Sequence, residues 1–187
     1  MNTYIALFRG INVGGAHRLP MKELKAVLEK AGCVNVRTYV QSGNVILNSS
    51  ISHAASLAKR LTAAVSRSHR FEPRVIVLTP GELERAAAAN PFPQADRNPK
   101  SLHLFFLDAP PTKADVSPLE AIRAKTEAFA LKGTVLYLYT PDGFGRSKLA
   151  TRAERLLGVP ATARNWRTVR ALLGMTKGSS DPAVRSV

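Results

Sequence analysis

Four short stretches of the 187-residue chain hold the residue types that bind or polarise ligands. The first is Arg9-Gly10-Ile11-Asn12-Val13-Gly14-Gly15, directly after the apolar run Tyr4-Ile5-Ala6-Leu7-Phe8. Five consecutive apolar residues read as a strand buried on both faces. Loops at the carboxyl ends of such strands are where α/β proteins place their chemistry, and glycine lets a ligand or a second backbone come close. Arg9, Asn12, Gly14 and Gly15 are therefore candidate ligand-binding residues. The second stretch, Gly143-Phe144-Gly145-Arg146-Ser147-Lys148, joins another apolar run to a helix. Ser147 reads as the helix cap, and the free amides there, with Gly145, Arg146 and Lys148, describe an anion seat. The spacing is neither that of a P-loop nor that of a Gly-x-Ser-x-Gly elbow. The competing reading is a well-capped helix after a tight turn.

The third stretch, Arg164-Asn165-Trp166-Arg167, sets the only tryptophan between arginines and beside an amide. That combination stacks bases or clamps phosphates, or else anchors a helix while its arginines reach water. The fourth, Gln41-Ser42-Gly43-Asn44, puts polar side chains on a turn, where the same residues are also favoured for backbone reasons. It gains meaning if the fold brings it beside the first loop. These loops hold Arg, Asn, Gln, Ser and Lys but only Asp142 as a carboxylate. Arginine and amide groups stabilise an oxyanion and are poor proton shuttles, so no catalytic residue is assigned. His17, His53, His69 and His103 are scattered, and Cys33 is the only cysteine. The reading therefore includes no metal, no cofactor and no disulfide framework.

Elements that would position these loops follow from periodicity. Helix one begins at Pro20, with Met21, Leu24, Val27, Leu28 and Ala31 on its apolar stripe and Gly32 as its stop. Val34, Val36, Thr38 and Val40 alternate with polar residues as in a strand, and Ser42-Gly43 turns into a second strand, Asn44 to Asn48. Ser52 can cap a second helix carrying Leu57, Leu61, Ala64 and Val65, before a strand from Arg74 to Leu78. The order is β-α-β-β-α-β, a ferredoxin-like plait with both helices on one face of an antiparallel sheet. Thr79-Pro80-Gly81-Glu82 and Ser117-Pro118-Leu119-Glu120 read as capping boxes. Strands are expected at Leu102 to Leu107, Phe129 to Leu131 and Val135 to Tyr139, and helices around Leu149 to Leu157 and Asn165 to Leu173. The fold class is thus α+β, with a plait over residues 1–79, a smaller second α+β subdomain over 80–174 and a frayed tail over 175–187. An internal echo sets the first strand, loop and helix against Val135 to Tyr139, its loop and the helix after it.

The net charge of +14 is uneven. Residues 1–79 carry eleven Lys/Arg against three Asp/Glu, residues 80–141 seven against seven, and residues 142–187 nine against three. A basic field favours polyanions, although an arginine-rich composition gives the same totals. No apolar run reaches the ~18 residues of a membrane helix, and the N-terminus does not read as a signal peptide. A cytoplasmic protein without membrane contact is expected.

Five motifs in fixed order resemble one bacterial family of unknown function, DUF1697. They are Arg9 to Gly15, Thr38 to Val45, Asn90-Pro91-Phe92, Gly145 to Leu149 and Gly158 to Trp166. The chain departs from the family's usual Thr at Ala150 and Ala163, and from its frequent Asn at Arg167. The resemblance implies an α+β protein of two small subdomains, the first ferredoxin-like, and implies no activity, cofactor or substrate. Two functional readings remain: a protein binding nucleic acid or a phosphorylated ligand, and a small-molecule enzyme or sensor. The second would hold a phosphate or carboxylate substrate in a cleft between the halves.

Overall fold

The computed structural model describes residues 1–12, 17–111 and 116–178. Gly14 and Gly15 of the first loop therefore lie outside the described residues, as do positions 179–187 of the expected tail. The protein is a mixed α+β structure with two four-stranded antiparallel sheets and six helices among the described residues. It divides into two compact units, one of residues Met1–Arg85 with Ala171–Val187 and one of Ala86–Arg170.

In the first unit, β1 (Asn2–Arg9), α1 (Met21–Lys30), β2 (Val34–Tyr39), β3 (Asn44–Ser49), α2 (Ala54–Ser68) and β4 (Arg74–Leu78) follow one another. The sheet order is β2-β3-β1-β4, so β1 is a central strand, as its unbroken apolar run requires. Tyr4, Ala6, Phe8, Val45, Leu47, Val75 and Val77 meet Leu24 and Leu28 of α1 and Leu57, Leu61 and Val65 of α2 in one core. Ile5, Leu7, Ile46 and Ile76, on the other face of the sheet, are buried too. Helix α1 ends in a Schellman turn: the Cys33 and Gly32 amides donate to the Leu28 and Glu29 carbonyls at 3.1 and 3.0 Å, and Gly32 adopts φ +89°.

Two local expectations are corrected. The alternation over Val34 to Val40 does not hold, and only Val36 of the three valines is buried. Val34 pairs with Asn48 and Arg37 with Ile46, so three steps along β2 face two along β3. Asn35, at φ +52°, sits in this bulge, which reverses the face of the residues after it. Helix α2 begins after His53 rather than Ser52, and no side chain caps it.

The second unit begins within α3 (Pro80–Ala88), which starts as a capping box. The Thr79 amide donates to Glu82 Oε2 at 2.7 Å and the Glu82 amide to Thr79 Oγ1 at 3.2 Å. After a 3-10 turn at Pro93–Asp96 come β5 (Leu102–Leu107), α4 (Ser117–Glu120), β6 (Ala128–Lys132), β7 (Val135–Tyr139), α5 (Lys148–Leu157) and β8 (Ala161–Asn165). Helix α6 (Trp166–Thr176) follows directly. The second expected capping box is displaced: the cap position of α4 is Val116, no side chain caps it, and Glu120 binds Arg123 instead.

The sheet order β6-β7-β5-β8 repeats that of the first unit element for element. The internal echo is therefore real in topology but differently aligned. Strand β1 corresponds to β5 and α2 to α5, whereas the sequence echo had matched β1 with β7. Strand β8 was not recognised from the sequence, because Ala-Thr-Ala-Arg-Asn has neither an apolar run nor clear alternation.

Gly43 gives the first unit its tightest constraint. It adopts φ +71°, and a Cβ there would stand 2.7 Å from both Phe8 Cβ and Ile11 Cδ1. Gly10, at φ +74°, has nothing within 4 Å of such a Cβ. Gly10→Ala should therefore cost only the left-handed backbone term of about 1–2 kcal/mol. Gly43→Ala adds an overpacking cost and should lose about 2–5 kcal/mol in total, read as a lower midpoint in urea unfolding.

Candidate functional site

The first loop and the hairpin turn meet. Because β1 pairs antiparallel with β3, Leu7 lies opposite Asn44, and the Phe8 amide donates to the Gly43 carbonyl at 2.8 Å. Asn12 then ties three segments with one side chain. Its Nδ2 donates to the carbonyls of Leu19 (2.8 Å) and Gln41 (2.9 Å), and its Oδ1 accepts the Leu19 amide at 2.8 Å. Its own backbone stands at φ +55°, a conformation asparagine tolerates better than most residues. Asn44 is fully buried and donates to the Tyr39 carbonyl (3.1 Å) and to Ser42 Oγ (2.9 Å). Two of the amides nominated as ligand contacts thus hold the turn and the loop together. Arg9, Gln41 and Ser42 have exposed side chains at this end of the sheet, with Arg9 in register with Arg74 of β4.

The loop after β7 is built in the same manner. Gly143 takes φ +110°, a 3-10 turn covers Phe144–Arg146, and Ser147 caps α5 by accepting the Ala150 amide on Oγ at 3.0 Å. The predicted cap is present. Gly145, Arg146 and Lys148 are exposed around it. What anchors the turn is a residue the sequence did not single out. Phe144 stacks on His103 of β5, ring centroids 3.7 Å apart, and also approaches Phe105 at 6.0 Å. Burial holds the His103 imidazole largely neutral, lowering its pKa to about 4, and its Nδ1 has no hydrogen-bond partner among the described residues. No periodic signal marks His103, because its role depends on a residue 41 positions away in the sequence.

Strand β8 carries the third stretch. His103 faces Asn165 and Leu104 faces Arg164, so alternation puts Arg164 on the sheet face away from His103 and Phe105. Its guanidinium is buried and donates through Nη1 to Thr162 Oγ1 at 2.7 Å and to the Ala163 carbonyl at 2.8 Å. Burial lowers its pKa to about 10, still well above neutrality. Asn165 Oδ1 accepts the Thr168 amide at 2.9 Å, capping α6. Trp166 is buried, and its Nε1 donates to Asp96 Oδ1 at 2.7 Å. Loop 143–148 and the end of β8 thus lie at one end of the second sheet, with Arg164 on the opposite face from the α5 cap. Arg9, Asn12, Gln41, Ser42 and Asn44 belong to the first unit, and Gly145 to Lys148 and Arg164 to Trp166 to the second.

The sequence pattern of DUF1697, described as a protein of unknown function, matches residues 1–137. The chain belongs to the DUF1697 family. The match stops inside β7, so loop 143–148 and β8 lie beyond it. A solved structure of a conserved bacterial protein from Streptococcus pneumoniae is similar over 92% of this chain and 97% of its own, with 25% identity and a TM-score of 0.67. Among curated proteins none matches the sequence. No helix among the described residues is long and apolar enough to cross a membrane.

Two measurements test these assignments. Asn12→Gly keeps the left-handed backbone open and removes only the side-chain bonds. It should cost about 1.5–3 kcal/mol, because the buried Leu19 keeps an amide without its partner, and exchange of that amide should accelerate. For His103 the folded pKa lies below the unfolded value of about 6.5, so the unfolded chain binds more protons between the two. Stability is then full above pH 6.5 and falls as pH drops towards about 4, by up to about 3 kcal/mol. His103→Phe, which preserves the stack on Phe144, should flatten that part of the pH–stability profile. An unchanged profile would show that another group titrates there.

Proposed function

We propose that this DUF1697 protein is a cytoplasmic polyanion-binding protein that takes a nucleic-acid strand or a phosphorylated ligand on its basic helices. The observation that carries the reading is where the charge collects. In each unit the helix leading from the hairpin to the last strand is basic. Helix α2 holds Lys59, Arg60 and Arg67 with no Asp or Glu, and Arg70 follows it. Helix α5 holds Lys148, Arg152 and Arg155 against Glu154 alone, with Arg146 just before it. All of these cations are exposed. Such a field steers polyanions inward and gains free energy by releasing their counterions.

We read each unit as a ferredoxin-like plait, supported by the βαββαβ element order and the sheet orders β2-β3-β1-β4 and β6-β7-β5-β8. Plaits that recognise bases stack them on aromatic residues of an open sheet face. Ile5, Leu7 and Ile46 in the first unit and Leu104, Phe106 and Tyr137 in the second leave neither sheet such a face. Contacts through the helices to phosphates are the mode that remains, and they position a strand without reading its sequence.

Fluorescence anisotropy with a labelled single strand of about 20 nucleotides tests the reading, as salt is raised from about 50 to about 200 mM. Log affinity should fall linearly with log salt, with a slope of about −0.7 for each phosphate contacted, and should depend little on base sequence. Absence of binding at the lowest salt would end the polyanion reading. A mononucleotide bound as tightly as the strand would make the partner a small phosphorylated ligand rather than a nucleic acid.

A further inference from the structure

Resting on the polyanion reading, we propose that the groove between α1 and α2 is the seat for phosphoryl oxygens. The two helices pack antiparallel: Arg60 Nε donates to the Ala31 carbonyl at 2.8 Å at one end, and His69 Nε2 meets Glu23 Oε2 at 3.3 Å at the other. Between them lies a concavity of about 330 Å³. Short side chains, Val27 and Ala31 of α1 and Ala64 of α2, leave the space open. Lys30, Arg60 and Arg67 line it with them, and Arg60, Ala64, Arg67 and Ser68 share one face of α2 at helical spacing.

The charge there is uncompensated. Glu29 is engaged by Lys25 at 3.8 Å and Glu23 by His69, and no carboxylate among the described residues is within ion-pair distance of Lys30, Arg60 or Arg67. At the negative end of α1 the Arg60 guanidinium sits on the Ala31 carbonyl and offsets that end's field. Arg60 is also pre-organised. Its Nε bond to Ala31 fixes the plane of the guanidinium while the terminal nitrogens keep their donors, which lowers the ordering cost on binding. Arg60 and Arg67 are seven residues apart on one helix, about 10 Å along its axis, with Lys30 across the groove. Two linked phosphoryl groups match that span, either as a diphosphate or as successive phosphates of a strand. Their oxygens would take charge-assisted hydrogen bonds from all three cations.

Inorganic pyrophosphate and the labelled strand serve as separate probes, with calorimetry for the first and anisotropy for the second. The variants are K30A/R67A and its conservative counterpart K30R/R67K, with K125A, an exposed lysine of the second unit, as a control. Arg60 is left in place because it also holds the end of α1. K30A/R67A should weaken pyrophosphate binding by about tenfold or more, given the strength of charged hydrogen bonds. It should also make the salt slope for the strand shallower by about one to two contacts. K30R/R67K should restore most of both effects, and K125A should behave as wild type. Pyrophosphate binding that is lost in K30A/R67A supports the seat even if the strand does not bind, an outcome that defeats the polyanion reading alone. Strand binding unchanged in K30A/R67A, or no pyrophosphate binding to wild type, overturns the seat and leaves the polyanion reading to its own test.

Discussion

The structure depends on a central strand that has no polar face. Tyr4, Ile5, Ala6, Leu7 and Phe8 are all buried, so β1 must be hydrogen-bonded along both edges and covered on both sides. Helices α1 and α2 supply one of those covers, and the crossovers that place them set the order of every other strand in the unit. The one polar group in the run is accommodated: the Tyr4 hydroxyl lies 2.9 Å from the carbonyls of both Ile51 and Ser52. Strand β5 obeys the same rule in the second unit, where the Tyr137 hydroxyl of its neighbour β7 donates to the Ala86 carbonyl at 2.7 Å.

A strand buried in this way makes demands on the loops that leave it. Their backbone groups lie close to the core and need partners, and short polar side chains provide them. Asn44, Ser147 and Asn165 are used so within a few residues, and Asn12 reaches across to Leu19 and Gln41. Residue types that would suit an oxyanion site are the same types that close such loops. Chemistry-bearing composition at a strand end therefore has two explanations, and hydrogen-bond geometry separates them. In this protein the amides and the cap serve the fold, and the cations of α2 and α5 stand exposed on the outer helix faces.

The two units share topology and differ in what they add to it. The first has a four-residue hairpin turn held by Gly43 and Asn44, whereas the second turns through Gly133 and Thr134 between Lys132 and Val135. Its first helix, α4, is only one turn long, against ten residues in α1. The groove is lined by Val27 to Ala31 at the end of α1 and by Arg60 to Ser68 of α2. The common feature is the basic second helix, whose outer face is free to be charged because its inner face alone supplies apolar contacts.

Local signals were legible in the sequence because their physics is local. The Thr79–Glu82 box, the Gly32 stop and the Ser147 cap each depend on residues within a few positions. The buried run of β1 likewise announced a central strand. Tertiary structure alone decided the rest. A single bulge at Asn35 changed the faces of β2. Pairing of β8 with β5 buried Arg164, although its composition suits a surface clamp. The stack of Phe144 on His103, and the meeting of Lys30 with Arg60 and Arg67, join residues some 30 to 41 positions apart. Their proximity is set by strand pairing and helix packing, which no local pattern of residue types encodes.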